Sequence, residues 1–234
     1  MLERFMQSRL SAMSDVVTEI LPRPLWHVGP YTITTSVVNS WVVVLIIGVL
    51  AYWAGRHLEE RPRGIQTLAE VYYRFIEGLL EQSLGHSDRR MVPLVGTFFL
   101  LVLGLNYAWF IPGVVPPTTD ISTTAGLAFT DLILVQVFAA RAVGVRRYLR
   151  RFLEPFPFLL PMNLIEELVK VFSLSVRLFG NLFGGDMVVA ALFVLVPVLA
   201  PTPVMLLEVL FGFIQALIFA TLTSVYVATA MGHH

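Results

Sequence analysis

The sequence contains no cysteine. That excludes disulfides and thiolate metal sites, and leaves the redox compartment open. Charge is scarce too: 14% of the 234 residues are Asp, Glu, Lys or Arg, against about a quarter in a soluble domain. The formal net charge is zero, so no bulk attraction to nucleic acid is implied. There is no internal repeat and no low-complexity tract. The opening MLERFMQSRLSAMSDVVTEI carries charges throughout and has no apolar core of signal-peptide length, so no cleavable signal is expected. No Gly-rich phosphate loop ending in Lys is present, so no nucleotide binding or nucleotide chemistry is expected of this chain. Neither HExxH nor a paired nucleophile and base appears, which argues against an intramembrane hydrolase. The histidines lack metal-ligand spacing and read as loop or interface residues; no metal site and no cofactor are expected.

What remains is apolar. Hydrophobic residues make up 56% of the chain, and the missing charge is missing from long windows, the pattern of transmembrane helices. Residues 1–35, punctuated by Pro22, Pro24, Gly29 and Pro30, read as a short helix followed by a loop, an N-terminal extracytoplasmic segment. Residues 36–234 read as a single membrane domain. Within it, spans are predicted at about 36–55, 91–111, 122–141, 162–195 and 204–230. Residues 65–86 interleave Ile65, Leu68, Tyr72, Phe75 and Leu79 with Glu70, Arg74, Glu77 and Glu81. That is an amphipathic helix, expected to lie at the interface. The fold class is therefore an all-α polytopic membrane protein with five spanning helices and one interfacial helix.

Orientation follows from the basic residues. The turns 56–64, 87–90 and 141–151 hold ten arginines, and the loops 112–121 and 196–203 hold none. If the spans alternate and 65–86 stays on the surface, all three basic turns fall on one side. The N-terminus is then outside and the C-terminus cytoplasmic. The 141–151 cluster is most simply a topology signal, with binding of anionic lipid or a partner as a second role.

The fourth span, 34 residues, would be roughly 51 Å long, beyond a hydrocarbon core of about 30 Å. It and the last span must therefore tilt strongly, bend or protrude. Ionisable groups inside such helices mark a pathway or a site by default. The fourth span holds Glu166, Glu167, Lys170, Arg177 and Asp186; the last holds Glu208 and the polar Gln215. At 100° per residue, Lys170 and Arg177 share a face, Asn181 sits one turn on, and Asp186 turns to the opposite side. Folding the two helices about the proline turn at 197–203 puts Asp186 and Glu208 near the outer end. Arg177 and Gln215 lie deeper, by about 13 and 10 Å.

A carboxylate whose pKa is moved by its surroundings can load and release a proton near neutral pH. Arginine cannot lose its proton there. Outer carboxylates with a fixed cation behind them make an access path with a barrier at its end, and the group that crosses the barrier must come from a partner. Glu166, Glu167 and Lys170 read either as solvated cytoplasmic residues or as the lining of an inner path. Asp131 reads either as a path residue or as a group paired with Ser or Thr neighbours. Gly180, Gly184 and Gly185 suit close helix approach. Arg177 as a snorkelling structural arginine is the bland alternative. A secondary transporter would call for inverted repeats or helix pairs broken in both halves, and neither is visible.

The segment SLSVRLFGNLFGGD, Ser173 to Asp186, resembles subunit a of the bacterial F-type ATP synthase, whose hallmark is RLFGN within a charged, overlong penultimate helix. PMNLIEELVKVF (161–172) and FGFIQALIFATLTSVYVATA (211–230) are similar to that family as well. The likeness continues more weakly through NYAWFIP, with Asn106 and Pro112, and through PPTTDISTT (116–124). The resemblance implies a proton-channel stator subunit in the cell membrane, without catalysis of its own. Its partners would be the c-ring, the subunit b stalk, the remaining F1Fo subunits and membrane lipid. It implies that Arg177 faces the ring carboxylate, with Asn181 and Gln215 as polar neighbours. Asp186 and Glu208 fall where the family lines the outer half-channel; some members carry glutamate and histidine there, and this chain has two acids. Glu166, Glu167, Lys170 and Ser173 are candidates for an inner half-channel, and Asn106 and Asp131 for accessory positions.

Overall fold

The computed structural model describes residues 24–28, 31–56, 64–85, 89–111, 114–146, 148, 158, 160–195 and 201–231. A hairpin of β1 (Pro24–Val28) and β2 (Tyr31–Thr34) leads into six helices: α1 (Thr35–Arg56), α2 (Ile65–Leu84), α3 (Val92–Asn106), α4 (Ile121–Val143), α5 (Leu160–Leu195) and α6 (Pro201–Met231). The expected short N-terminal helix falls outside the described residues, as do most of the charged turn at 56–64 and much of the basic 141–151 stretch.

Helices α1, α4, α5 and α6 are each long and apolar enough to cross a membrane. Helix α3 is apolar but shorter, with 15 residues, or about 22 Å of rise. Lipid-facing positions are apolar: Trp41, Leu45, Leu164 and Leu206 are all exposed in the isolated chain. This is the all-α polytopic membrane fold that the hydropathy pattern implies.

Three boundaries differ from the sequence reading. Pro24–Val28 and Tyr31–Thr34 are strands and not loop. They pair as an antiparallel hairpin with an irregularity between Pro24 and Trp26. The span expected at 91–111 stops at Asn106. Tyr107 caps it through an N–H bond to the Leu103 carbonyl, and the chain tightens into a 3-10 turn at Ala108–Phe110. The last helix begins at Pro201, so Pro201 and Pro203 are its first turn and not part of the preceding loop. Proline is tolerated there because first-turn N–H groups have no intrahelical acceptor.

Helix α2 is amphipathic as expected. It ends at Gly85, whose φ of 73° permits the left-handed cap that bonds back to the Glu81 carbonyl. Its buried Ile76 and Leu80 join Val95, Phe98 and Val102 of α3 and Phe219 and Val227 of α6 in the main core. Tyr72 donates to the Gly96 carbonyl of α3 at 2.6 Å. Burial raises the Tyr72 phenol well above its ordinary pKa, so it stays a neutral donor.

On the hairpin side, Asp120 caps α4 by accepting from the Ser122 N–H at 2.9 Å, the usual role of Asp at that position. Thr34 donates to the other Asp120 carboxylate oxygen at 3.3 Å, and Asn39 donates to the Val115 carbonyl at 2.9 Å. The hairpin and α1 are thus tied to the start of α4. Helix α5, with 36 residues, rises about 54 Å. It packs against α4 on one side and α6 on the other.

Candidate functional site

The outer part of the α5–α6 pair opens into a cleft of about 300 Å³, lined by Asn181, Gly184, Gly185, Glu208 and Phe211 among others. Glycines are what let the two helices open the cleft without filling it. Glu208 leans across Gly185, where a Cβ would sit 2.5 Å from its Oε1. That oxygen is buried and has no hydrogen-bond partner among the described residues. Asp186 is half-buried and does not line the cleft, in keeping with its turn to the other side of α5, yet its charge reaches Glu208.

Arg177 lies about two and a half turns from Asp186 along α5. It is exposed in the isolated chain, beside an exposed apolar stripe that includes Val169, Phe172 and Val176. Asn181 lines the outer cleft, and Gln215 is buried with its Nε2 lacking a partner. Neither amide hydrogen-bonds Arg177, which has no hydrogen bond or ion pair with any described residue. Its charge does reach Tyr226 of α6.

Asn106 is 2% exposed and donates to the Gly212 carbonyl at 3.1 Å, while Tyr107 donates to the Val209 carbonyl at 2.6 Å. The end of α3 is therefore docked on α6 at Gly212, where a Cβ would come within 2.9 Å of the Tyr107 ring. Asn106 serves the scaffold of Gln215 and Glu208 and does not line the cleft.

A second polar group lies toward the other end. Lys170 Nζ binds Glu166 and Glu167, each at 3.0 Å. Glu166 is largely exposed at 65%, and Glu167 is not, at 23%. Glu167 also accepts from Gln136 at 3.0 Å, and the Tyr148 hydroxyl donates to the Gln136 carboxamide. Gly144, at φ 95°, turns the chain after α4 so that Tyr148 folds back onto it. Lys170 stands over the Tyr226 ring, 5.4 Å from its centroid, a favourable cation–π position. Asp131, 2% exposed, accepts from the Thr223 hydroxyl at 2.9 Å. Ser173 is exposed on α5, apart from this group.

Gln136, Tyr148, Thr223 and Tyr226 were not among the residues the sequence singled out. Gln136 was available as a second polar residue in the α4 run, but a search for charges passes over it. The other three became visible only when helices distant in sequence were brought together. Among the described residues no His, Asp and Glu group is spaced to hold a metal ion.

Acidic groups on either side of a fixed arginine, inside overlong apolar helices, define a polytopic membrane protein built around an ion path. The chain matches the ATP synthase A chain family over residues 37–228. It is 50% identical over 218 residues to ATP synthase subunit a of Moorella thermoacetica, covering 93% of this chain and 100% of that one. To ATP synthase subunit a 2 of a Bradyrhizobium species it is 36% identical, over 89% and 93% of the two chains. To ATP synthase subunit a 1 of Hahella chejuensis it is 35% identical, over 89% of each. The chain belongs to the subunit a family of the F-type ATP synthase, whose members serve the proton-conducting membrane sector of that complex.

Proposed function

We propose that this chain carries protons to and from a rotating ring of carboxylate-bearing helices through two half-channels separated by Arg177. The observation that supports this most directly is the state of Arg177. A guanidinium is always charged, and a charge at membrane depth costs at least about 2.5 kcal/mol. Here it has no counter-charge among the described residues and stands beside an exposed apolar stripe. Such an arrangement makes sense if the counter-charge is supplied by another protein docked on that face. The outer cleft with Glu208 and Asp186 supplies access from one side. Glu166, Glu167, Lys170 and Ser173 stand toward the other.

Under this reading a ring carboxylate approaching Arg177 ionises, and releases its proton before it passes. The reloaded carboxyl leaves on the far side as a neutral group that tolerates lipid. Arg177 prevents a proton from short-circuiting the two halves, since a fixed cation repels it. The drive is about 2.3 kcal/mol per charge for each 100 mV. The distribution of basic residues supports an orientation with the N-terminus outside and the C-terminus in the cytoplasm. Subunit b of the peripheral stalk is the expected static partner.

Arg177→Ala in the assembled complex tests the assignment. ATP synthesis driven by a proton gradient in everted vesicles should be lost, while ATP hydrolysis by the peripheral sector persists. Unaltered synthesis would refute the barrier role, and a chain that purifies active without a small helical-hairpin oligomer would refute the whole reading.

A further inference from the structure

Between α4, α5 and α6 lies a small, partly open pocket lined by Asp131, Glu167, Lys170 and Tyr226, with Ala128, Val135 and Leu174 among its apolar walls. About 10 Å³ of it is open to the centre of a water molecule, which is the room that one water takes on that measure. A buried water needs two to four polar partners, and this space offers a carboxyl, an ion pair and a phenol. We propose that it is a site for a single water, and that this water links Asp131 to the Glu167–Lys170 pair as the last relay on the cytoplasmic side. The proposal rests on the reading of α5 and α6 as a proton path.

The placement of each group supports a relay over a purely structural acid. Thr223 donates to one Asp131 oxygen, leaving the other free to meet the water. The groups facing Asp131 are Glu167 and Lys170 from α5 and Thr223 and Tyr226 from α6, and the charge of Arg177 also reaches Tyr226. Lys170 is already held by Glu166 and Glu167, so it does not collapse onto Asp131. Glu166, at the other end of the ion pair, is open to solvent. A protonated Asp131 gives its proton to the water. The water in turn passes one of its own to the Glu167 carboxylate, and is regenerated. Glu167 releases that proton toward Glu166 and the bulk, and Asp131 is left ionised, ready for the next proton from the ring side.

An isosteric change separates the two roles. Asn at 131 keeps the side-chain shape and still accepts from Thr223, but it cannot hold a proton. Everted vesicles bearing the whole complex, then stripped of the peripheral sector, are energised with a potassium diffusion potential, and passive proton flux is read by a pH-sensitive dye. Per assembled complex, Asp131→Asn should lower flux tenfold or more. Asp131→Glu should restore at least a third of it. Ala128→Val, which fills the space while leaving Asp131 in place, should lower flux severalfold. Flux within twofold of the parent for Asp131→Asn would overturn the relay, and so would loss of assembly in that variant, which would give the carboxylate a structural task. Arg177→Ala in everted vesicles that retain the peripheral sector keeps the two readings apart. If it abolishes ATP synthesis while Asp131→Asn conducts normally, only the water relay fails; if it leaves synthesis intact, the proton-path reading fails with it.

Discussion

Glu208 lies so close over Gly185 that a single methyl group at position 185 would come within 2.5 Å of its carboxylate oxygen. The contact is between the acid and the backbone of the facing helix. Close approach of α5 and α6 thus sets where the acid can be. By contrast, Gly180 and Gly184, on the same helix, have open space where a Cβ would go.

That contrast yields the first prediction. Gly185→Val should push the Glu208 carboxyl out of place and narrow the cleft, whereas Gly184→Ala should be tolerated. Gradient-driven ATP synthesis in vesicles should fall at least about tenfold for Gly185→Val, the effect of ~1.4 kcal/mol on a barrier. Equal rates for the two variants, at equal amounts of assembled complex, would show that the carboxyl position is not controlled by residue 185.

The sequence made the path legible at the level of charge and depth. Arg177, Asp186 and Glu208 stood out because ionisable residues in apolar helices are rare, and the opposite facing of Asp186 followed from its nine-residue spacing. Pairings did not follow. Asp131 was recognisable as an acid in an apolar run, but its partner Thr223 is 92 positions away and looks like any helical threonine. Gln136 is uncharged and so was passed over, although it holds Glu167. The hairpin was missed because Pro24 and Pro30 read as loop punctuation. The β-branched, aromatic run Tyr31-Thr32-Ile33-Thr34 was the signal for a strand. The second span was drawn too long because its apolar composition continues past Asn106. What ends the helix is the docking of Asn106 and Tyr107 onto α6, which composition does not record.

In the proposed path, Asp186 and Glu208 serve one route from two faces of α5. Asp186→Asn alone should leave Glu208 able to load protons, and Glu208→Gln alone should leave Asp186. Each single change should therefore reduce synthesis partially, and the double change should reduce it by far more than the product of the two. Initial rates of ATP-driven quenching of a pH-sensitive dye would show this. Strictly multiplicative effects would show that neither acid substitutes for the other.

Docking of α3 on α6 depends on Gly212. A side chain there would strike the Tyr107 ring at 2.9 Å and separate two hydrogen bonds from their acceptors. Tyr107→Phe should cost about 1 kcal/mol, one hydrogen bond. Gly212→Val should cost more, because overpacking adds about 1–3 kcal/mol. Thermal inactivation of the purified complex and the amount of this chain in the membrane should both rank parent, Tyr107→Phe, Gly212→Val. A Gly212→Val complex as stable as the parent would mean that this contact does not hold the helices together.

Lys170 is the hub of the inner group, and its two acids are not equivalent. Glu166 is mostly in water, where an ion pair is worth about 0–1 kcal/mol. Glu167 is shielded and would be left with Gln136 alone if Lys170 were removed. Leaving a shielded charge without its partner costs about 1–3 kcal/mol or more. Lys170→Leu should therefore destabilise the complex clearly, and Glu166→Ala should barely change it. Lys170→Leu combined with Glu167→Leu should recover much of the loss, since no lone charge then remains. A double-mutant cycle on thermal inactivation measures this. A coupling near zero between Lys170 and Glu167, or one as large between Lys170 and Glu166, would show that burial does not decide which acid the lysine serves.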